Sequence, residues 1–183
     1  MTITTAEVTA FRQRAEQGDA LAQLLLGLSY LSGDGVQKDE TQARQWFRKA
    51  AEQGIAEAQY YIGFAHQFDE DEGLTAGLRN RLVSGIYTDY VEAVVWYRKA
   101  AEQGYAAAQY CLGSMYSTGQ GIPQDYVEAH KWFNLAAAHE RDGVGNRHAE
   151  ARDEVAKRMT PAQLADAQKL AREWQAAFDA RQK

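Results

Sequence analysis

The sequence predicts an all-α fold, an α/α superhelical solenoid of stacked helix-turn-helix repeats. The motif Ala-Glu-Gln-Gly occurs three times, at 15–18, 51–54 and 101–104. Each copy closes a pattern of apolar residues at helical spacing, and the pattern recurs in the same frame. Self-similarity with a period of roughly 20–50 residues is typical of arrays of stacked units. Such a fold offers a surface for binding instead of a reaction centre.

Composition and charge limit the classes of function. The chain has 183 residues, is 45% hydrophobic and carries a formal net charge of −5. Its basic residues do not cluster, which argues against nucleic acid or an anionic membrane as a partner. No stretch approaches the ~18 apolar residues of a membrane helix. A single cysteine, Cys111, excludes an internal disulfide framework.

The start of the chain, Met1 to Glu7, lacks the basic residues and apolar run of a signal peptide. We therefore expect a cytoplasmic protein, although a chain whose leader had been removed would read the same. Because no linker or composition shift divides the sequence, we expect one repeat domain. Its parts are an N-terminal capping helix at 1–17, repeats at 18–53, 54–103 and 104–143, and a degenerate C-terminal capping repeat at 144–183.

An unpaired helix is predicted at the N-terminus. The segment from Phe11 to Gly18 matches the segment from Phe47 to Gly54. Residues 4–17 therefore read as the second helix of a repeat that lacks its first. Thr4 and Glu7 have the spacing of a capping box, in which both side chains accept backbone N–H groups of the first turn.

The first helix of each repeat, helix A, carries an internal glycine, at 27, 63 and 113. Glycine inside a helix costs about 1 kcal/mol relative to alanine. Its recurrence predicts that a neighbouring helix packs too close for a side chain. The Gly-x-Gly turns that follow, at 33–35 and 119–121, predict backbone conformations with positive φ.

The second helix, helix B, is predicted to begin at an aspartate that accepts the N–H groups of the first turn. The three aspartates are Asp39, Asp89 and Asp125. Tryptophans at 46, 96 and 132 lie on the inward stripe of helix B and are expected in the core. Gly54 and Gly104 are expected to end these helices in the left-handed conformation.

The second repeat carries an insertion at about 69–84, which we expect to project from the stack as a loop or short helix. Its acidic run, 69–72, invites a calcium interpretation. An EF-hand-like loop starting at Asp69 would need a bidentate acid where the chain has Asn80. We therefore interpret the run as a solvated acidic loop.

The C-terminal segment repeats the pattern in degenerate form. Thr160 and Pro161 predict the start of a final helix, since proline is favoured at the first helical position. We expect its polar outer face to seal the open end of the stack. Its predicted inward stripe is Leu164, Ala167, Ala171, Trp174 and Phe178.

The full repeat reads A-x-A-Q-x-x-L-G-x-x-Y-x-x-G-x-G-V-x-x-D-x-x-x-A-x-x-W-x-x-x-A-A-x-x-G over about 18–143. This pattern resembles the Sel-one-like repeat (SLR) family, related to tetratricopeptide repeats. The resemblance implies an α/α superhelix that acts as an adaptor for other proteins, often in bacteria. The sequence departs from the pattern at His66, where tyrosine is expected, and at the insertion.

Residues capable of chemistry do not form a recognisable site. Histidines 66, 130, 139 and 148 have no metal-ligand spacing. We interpret His66 as filling the space of a core tyrosine and Cys111 as a small apolar core residue. The sequence therefore predicts no enzyme, no cofactor and no metal site.

The variable positions of helix A are the candidate partner-binding residues, because the resemblance to tetratricopeptide repeats places them in the concave groove. Aromatic side chains in a groove are favoured anchors for a partner. The predicted site residues are Leu24, Leu28, Tyr60, Phe64, Gln67, Tyr110, Ser114 and Ser117. Alternatively, the N-terminal helix or the insertion covers part of this face, including Leu21 and Leu31.

These observations predict a non-enzymatic scaffold or adaptor for protein–protein interactions that binds a peptide segment or partner protein in the groove. An inhibitor or immunity-type protein that plugs a partner enzyme is the alternative, and a convex or end surface would then carry the binding. An enzyme is a third and less favoured class. The oligomeric state is left open.

Overall fold

The structure is a computed structural model that describes residues 3–68, 86–139 and 145–183. Within these ranges the chain forms nine helices and no strand. The helices are α1 Thr5–Glu16, α2 Ala20–Ser32, α3 Glu40–Glu52, α4 Ala56–Phe68, α5 Ile86–Glu102, α6 Ala106–Thr118, α7 Tyr126–His139, α8 Gly145–Ala156 and α9 Pro161–Arg181. The prediction of an all-α helix-turn-helix repeat fold is confirmed. The predicted insertion at 69–84 lies outside the described residues.

Contacts between helices group the chain into two compact units, Met1–Ala65 and His66–Lys183. In the first unit, α1 packs on α2 and α2 packs on α3. In the second unit, α5 packs on α6, α6 packs on α7, and α7 packs on both α8 and α9. Within each unit, these helices thus pack against neighbours in the chain, as helix-turn-helix repeats require. The assignment of a single domain stays a prediction.

Close approach of two helices explains the glycine inside helix A. A Cβ atom added to Gly27 would lie 2.7 Å from the ring of Phe47. In the second unit, a Cβ on Gly113 would lie 2.9 Å from the ring of Phe133. Both distances are shorter than carbon atoms tolerate, so a hydrogen atom is the only side chain that fits. The prediction from the sequence is confirmed at these two positions.

The Gly-x-Gly turns dock on the preceding helix B. Gly35 has φ +69°, and a Cβ there would lie 2.7 Å from the backbone oxygen of Thr4. Gly121 also has φ +69°, and its Cβ would clash with the backbone oxygen of Tyr90. Thr4 and Tyr90 hold equivalent positions in the repeat frame. The start of α1 therefore packs as a helix B does, in agreement with the predicted unpaired helix.

A buried glutamine near the start of helix A explains the Ala-Glu-Gln-Gly motif. Nε2 of Gln23 donates a hydrogen bond to the backbone oxygen of Ala15, at 3.1 Å. Gln59 does the same to Ala51 at 3.1 Å, and Gln109 to Ala101 at 3.0 Å. The last carbonyl groups of a helix have no partner within that helix. The motif alanine offers such a carbonyl, which accepts from the backbone N–H of the motif glycine and from the glutamine of the next helix.

The side-chain oxygen of the same glutamine accepts a bond from the following helix B. Nε2 of Gln53 donates to Oε1 of Gln23 at 2.8 Å. In the second unit, His139 occupies the position of the motif glutamine, and its Nδ1 lies 3.0 Å from Oε1 of Gln109. The amide of Gln109 donates to Ala101, so its oxygen requires a donor. Nδ1 of His139 therefore carries the proton in this arrangement.

Local capping fixes most helix starts. Thr4 and Glu7 form the predicted capping box, and Asp39 accepts from the backbone nitrogen of Gln42 at 2.9 Å. The prediction for Asp89 is wrong, because α5 begins at Ile86 and Asp89 lies within the helix. A cap contributes only about 1 kcal/mol. An aspartate therefore does not fix a helix start when the preceding turn can also become helical.

Candidate partner-binding surface

The variable face of α2 combines exposed and buried leucines. Leu21 is 58% exposed, whereas Leu28 and Leu31 are half-buried. Leu24 is only 7% exposed and lies with the packed interior. The structure thus places three of these four leucines where solvent reaches them. Leu24 was predicted as a site residue, but it is buried and packs beneath this face.

The variable face of α4 carries a cluster of aromatic rings. Phe64 is 44% exposed, and its ring centroid lies 6.3 Å from that of Tyr60. Tyr60 in turn contacts the ring of Tyr61 at 5.4 Å in an edge-to-face arrangement. Tyr61 stacks on Phe47 of α3 with centroids 4.6 Å apart. The structure therefore brings the predicted residues Tyr60 and Phe64 together and adds Tyr61, which the sequence analysis did not single out.

Glu57 lies on the same face of α4 and is half-buried. It makes no hydrogen bond or ion pair with any part of the chain that the structure describes. Burial raises the pKa of this carboxyl above its ordinary value, because a low-dielectric environment disfavours the charged form. Burial and the nearby Glu57 charge together raise the pKa of the Tyr61 hydroxyl. The carboxylate and the phenol are therefore electrostatically coupled.

The predicted polar residues of the second unit already make hydrogen bonds within the chain. Oε1 of Gln67 accepts from the hydroxyl of Tyr97 at 2.7 Å. The hydroxyl of Ser117 donates to the backbone oxygen of Ser114 at 2.8 Å. A partner would have to share or displace these bonds.

Tyr110 is packed between two other rings of the second unit. Its ring centroid lies 5.4 Å from Phe133 and 4.8 Å from His148 of α8. The degenerate repeat thus covers part of Tyr110, which is half-buried. Tyr60 and Phe64 belong to the other unit. The placement of these three residues in one groove stays a prediction.

The described residues contain no group of three or more histidine, cysteine or acidic side chains placed to hold a metal ion. His130 is buried, and burial lowers the pKa of its imidazole, so the neutral form is favoured. Burial raises the pKa of the Cys111 thiol to about 11, which leaves it protonated and unreactive at neutral pH. Over the same ranges, no helix has the length and apolar character needed to cross a membrane.

A constant set of residues packs the helix pairs, and a variable set reaches solvent on helix A. This arrangement defines the chain as an α-helical repeat scaffold. The chain belongs to the Sel1 repeat family, whose model matches at 20–55, 56–75, 79–105 and 106–140, more than half of the sequence. Proteins of this family are in general non-enzymatic scaffolds for protein interactions. The resemblance noted from the sequence is confirmed.

Bacterial proteins are among those similar to the chain. A Sel1 repeat protein from Oxalobacter formigenes has a solved structure with a TM-score of 0.59 and 30% identity, covering 79% of this chain and 98% of that one. A protective antigen of uropathogenic Escherichia coli with an SLR fold gives a TM-score of 0.44 at 26% identity, over 97% of this chain and 51% of the antigen.

The secretory immunoglobulin A-binding protein EsiB of Escherichia coli O6:H1 is 54% identical over 39 residues. That match covers 21% of this chain and 8% of EsiB. The chain therefore shares about one repeat of sequence with a much longer relative whose name records the binding of a protein.

Proposed function

We propose that this protein is a non-enzymatic interaction scaffold that binds a peptide segment or a partner protein on the variable face of its A helices. One observation carries the proposal. Leu21 and Phe64 are 58% and 44% exposed at variable positions, while the packing positions beside them are buried. Large apolar side chains gain free energy when a partner covers them, which makes them favoured anchors.

The family supports the general class of function, and the chemistry of the described residues agrees with it. The secretory immunoglobulin A-binding relative shows that a protein with such repeats can bind another protein. We extend this to the variable face of the first unit, where Tyr60 and Phe64 are the principal contacts and Leu28 is a secondary one. In the second unit, Gln67, Ser114 and Ser117 would provide contacts of their own.

A pair of matched double variants tests the proposed face. Tyr60→Ala with Phe64→Ala removes the exposed rings of α4, and Val91→Ala with Val95→Ala trims exposed apolar side chains of α5. A partner is first captured from the source cell with the unchanged protein and identified by mass spectrometry. We expect the α4 variant to bind that partner more weakly, by about 2–4 kcal/mol of binding free energy, as hot-spot truncations do. The α5 variant should bind normally.

Circular dichroism provides the folding control for both variants. A folded α4 variant that binds the partner as tightly as the unchanged protein would refute the proposal. If the α4 variant unfolds, Tyr60→Phe with Phe64→Leu, which keeps most of the packing volume, replaces it in the binding assay.

A second candidate function is an inhibitor or immunity-type protein that binds an enzyme through the outer surface of the B helices. Val91 and Val95 are 44% and 42% exposed on α5, where the first repeat has Thr41 and Gln45. An apolar pair one turn apart on an outer face is the observation that favours it. Loss of partner binding in the α5 variant and not in the α4 variant would select this function.

A further inference from the structure

One face of α4 combines a carboxylate with three aromatic rings. Glu57, Tyr60, Tyr61 and Phe64 are spaced i, i+3, i+4 and i+7, so their side chains lie on one side of the helix. The equivalent positions hold four leucines in α2, and Ala107, Tyr110, Cys111 and Ser114 in α6. Of these three A helices, only α4 has this composition.

The carboxylate of Glu57 lacks compensation for its burial. It is half-buried and makes no hydrogen bond or ion pair among the described residues. A carboxylate removed from water is destabilised unless a positive charge or a donor replaces the lost solvent. The Glu57 side chain is thus placed to gain free energy from a cation brought by a partner.

The rings around Glu57 also favour a cation. The face of an aromatic ring carries negative electrostatic potential and attracts ammonium and guanidinium groups within about 6 Å of its centroid. Tyr60 lies 5.4 Å from Tyr61 and 6.3 Å from Phe64, so one group placed among them meets more than one ring. The edge of this cluster is open to solvent at Phe64.

We propose that the α4 face formed by Glu57, Tyr60, Tyr61 and Phe64 binds a lysine or arginine side chain of a partner polypeptide. The Glu57 carboxylate pairs with the cationic group, and the rings contact its methylene stem and its charge. This rests on the proposed function, since it specifies which side chain the scaffold recognises at that face. The net charge of −5 makes a basic partner segment electrostatically complementary to the whole chain.

The position of Glu57 in the first turn of α4 does not reverse this preference. The helix dipole places about half a positive charge at the N-terminus, which opposes a bound cation. The carboxylate supplies a full negative charge closer to the ligand. The net potential at the cluster is therefore attractive to a cation.

Three blocked heptapeptides test the proposal directly. Each has the sequence Ala-Leu-Ala-X-Ala-Leu-Ala, where X is lysine, arginine or norleucine, which keeps the methylene stem without the charge. Binding to the full chain is followed by NMR chemical shifts of backbone amides. We expect the lysine and arginine peptides to shift residues 57–64 and to bind at least about tenfold more tightly than the norleucine peptide.

Matched variants assign the effect to Glu57 and to the rings. Glu57→Gln should reduce the affinity of the lysine and arginine peptides to that of the norleucine peptide. Glu52→Gln, which removes the same charge from an exposed position at the end of α3, should leave the tenfold preference intact. Phe64→Leu keeps an apolar side chain without a ring and should reduce the preference several-fold.

Equal affinity of the norleucine and lysine peptides would overturn the proposal, as would a preference that survives Glu57→Gln. Failure of all three peptides to shift residues 57–64 would also overturn it. The proposed scaffold function is decided separately, by the captured partner and the α4 double variant.

Discussion

At the scale of single residues, the close contact at Gly113 is a direct test of the packing. An added methyl group would meet the Phe133 ring at 2.9 Å and the backbone oxygen of Ala129 at 3.2 Å. Alanine favours the helix by about 1 kcal/mol, but overpacking a core costs about 1–3 kcal/mol. The ring must shift to admit the methyl group, and the backbone oxygen of the facing helix leaves the methyl group little room to move the other way. We expect Gly113→Ala to lower the free energy of unfolding by about 1 kcal/mol in urea titrations.

The double variant Gly113→Ala with Phe133→Leu provides the control. Removing the ring makes room for the methyl group. The double variant should therefore lose less free energy of unfolding than the two single variants lose together. Strict additivity, or a Gly113→Ala protein more stable than the original, would contradict the packing explanation.

Because the pKa of Glu57 is raised, the stability of the protein should depend on pH even without a bound partner. Burial raises its pKa in the folded state, so the folded protein binds this proton more tightly than the unfolded chain. The charged carboxylate therefore opposes folding once the pH exceeds its unfolded pKa of about 4.3. Glu57→Gln should be more stable at pH 7, by less than about 1 kcal/mol because solvent screens a half-exposed group. Thermal unfolding should show this difference vanish as the pH falls below the unfolded pKa.

At the scale of helices, the buried glutamine joins three elements of the second unit. Gln109 donates to Ala101 at the end of α5 and accepts from His139 at the end of α7. Gln109→Leu leaves the Ala101 carbonyl with the backbone N–H of Gly104 alone and removes the acceptor of the His139 imidazole. An unsatisfied polar group away from water costs about 1–3 kcal/mol. We expect a loss of about 1–2 kcal/mol by urea unfolding, whereas Gln168→Leu, on the exposed face of α9, should change stability by no more than about 0.5 kcal/mol.

The packing of α7 against α8 should weaken in acid. Burial and the charge of Arg152 lower the pKa of His130, while Asp153 opposes the shift. The unfolded chain therefore binds this proton more readily than the folded protein. The stability from neutral His130 is complete above its unfolded pKa of about 6.5 and is lost as the pH falls through the folded value. His130→Leu should show a shallower fall in melting temperature over this range, and an unchanged slope would contradict the assignment.

The helices that the sequence predicts correctly are those whose signals are local. Thr4 and Glu7 cap α1 through bonds that span three residues, and Asp39 caps α3 in the same way. The predicted start of α5 at Asp89 was wrong because a cap stabilises a helix less than an additional helical turn does. The exchange through Gln109 was missed because its partners lie on two other helices. The spacing of Glu57 and Tyr61 was visible in the sequence, but the burial of the carboxyl depends on tertiary packing, which spacing does not show.

At the scale of the whole molecule, the repeats determine the fold, while the insertion at 69–84 is expected to be additional to it. In repeat proteins each repeat contacts only its neighbours, so an array tolerates a long insertion in one turn. The sequence therefore predicts that deleting 69–84 lowers the melting temperature by no more than about 5 °C. A much larger loss, measured by circular dichroism on heating, would show that the insertion is part of the packing.

The glutamine exchange gives a repeat a direction along the chain. Gln23 donates to the helix before it and accepts from the helix after it, so the first repeat has one donating side and one accepting side. Gln109 makes the same two kinds of contact in the second unit. The last link is different, since His139 stands in place of the motif glutamine and is flanked by Trp174 and Phe178. An imidazole that packs against α9 thus supplies the donor that an amide supplies in the first repeat.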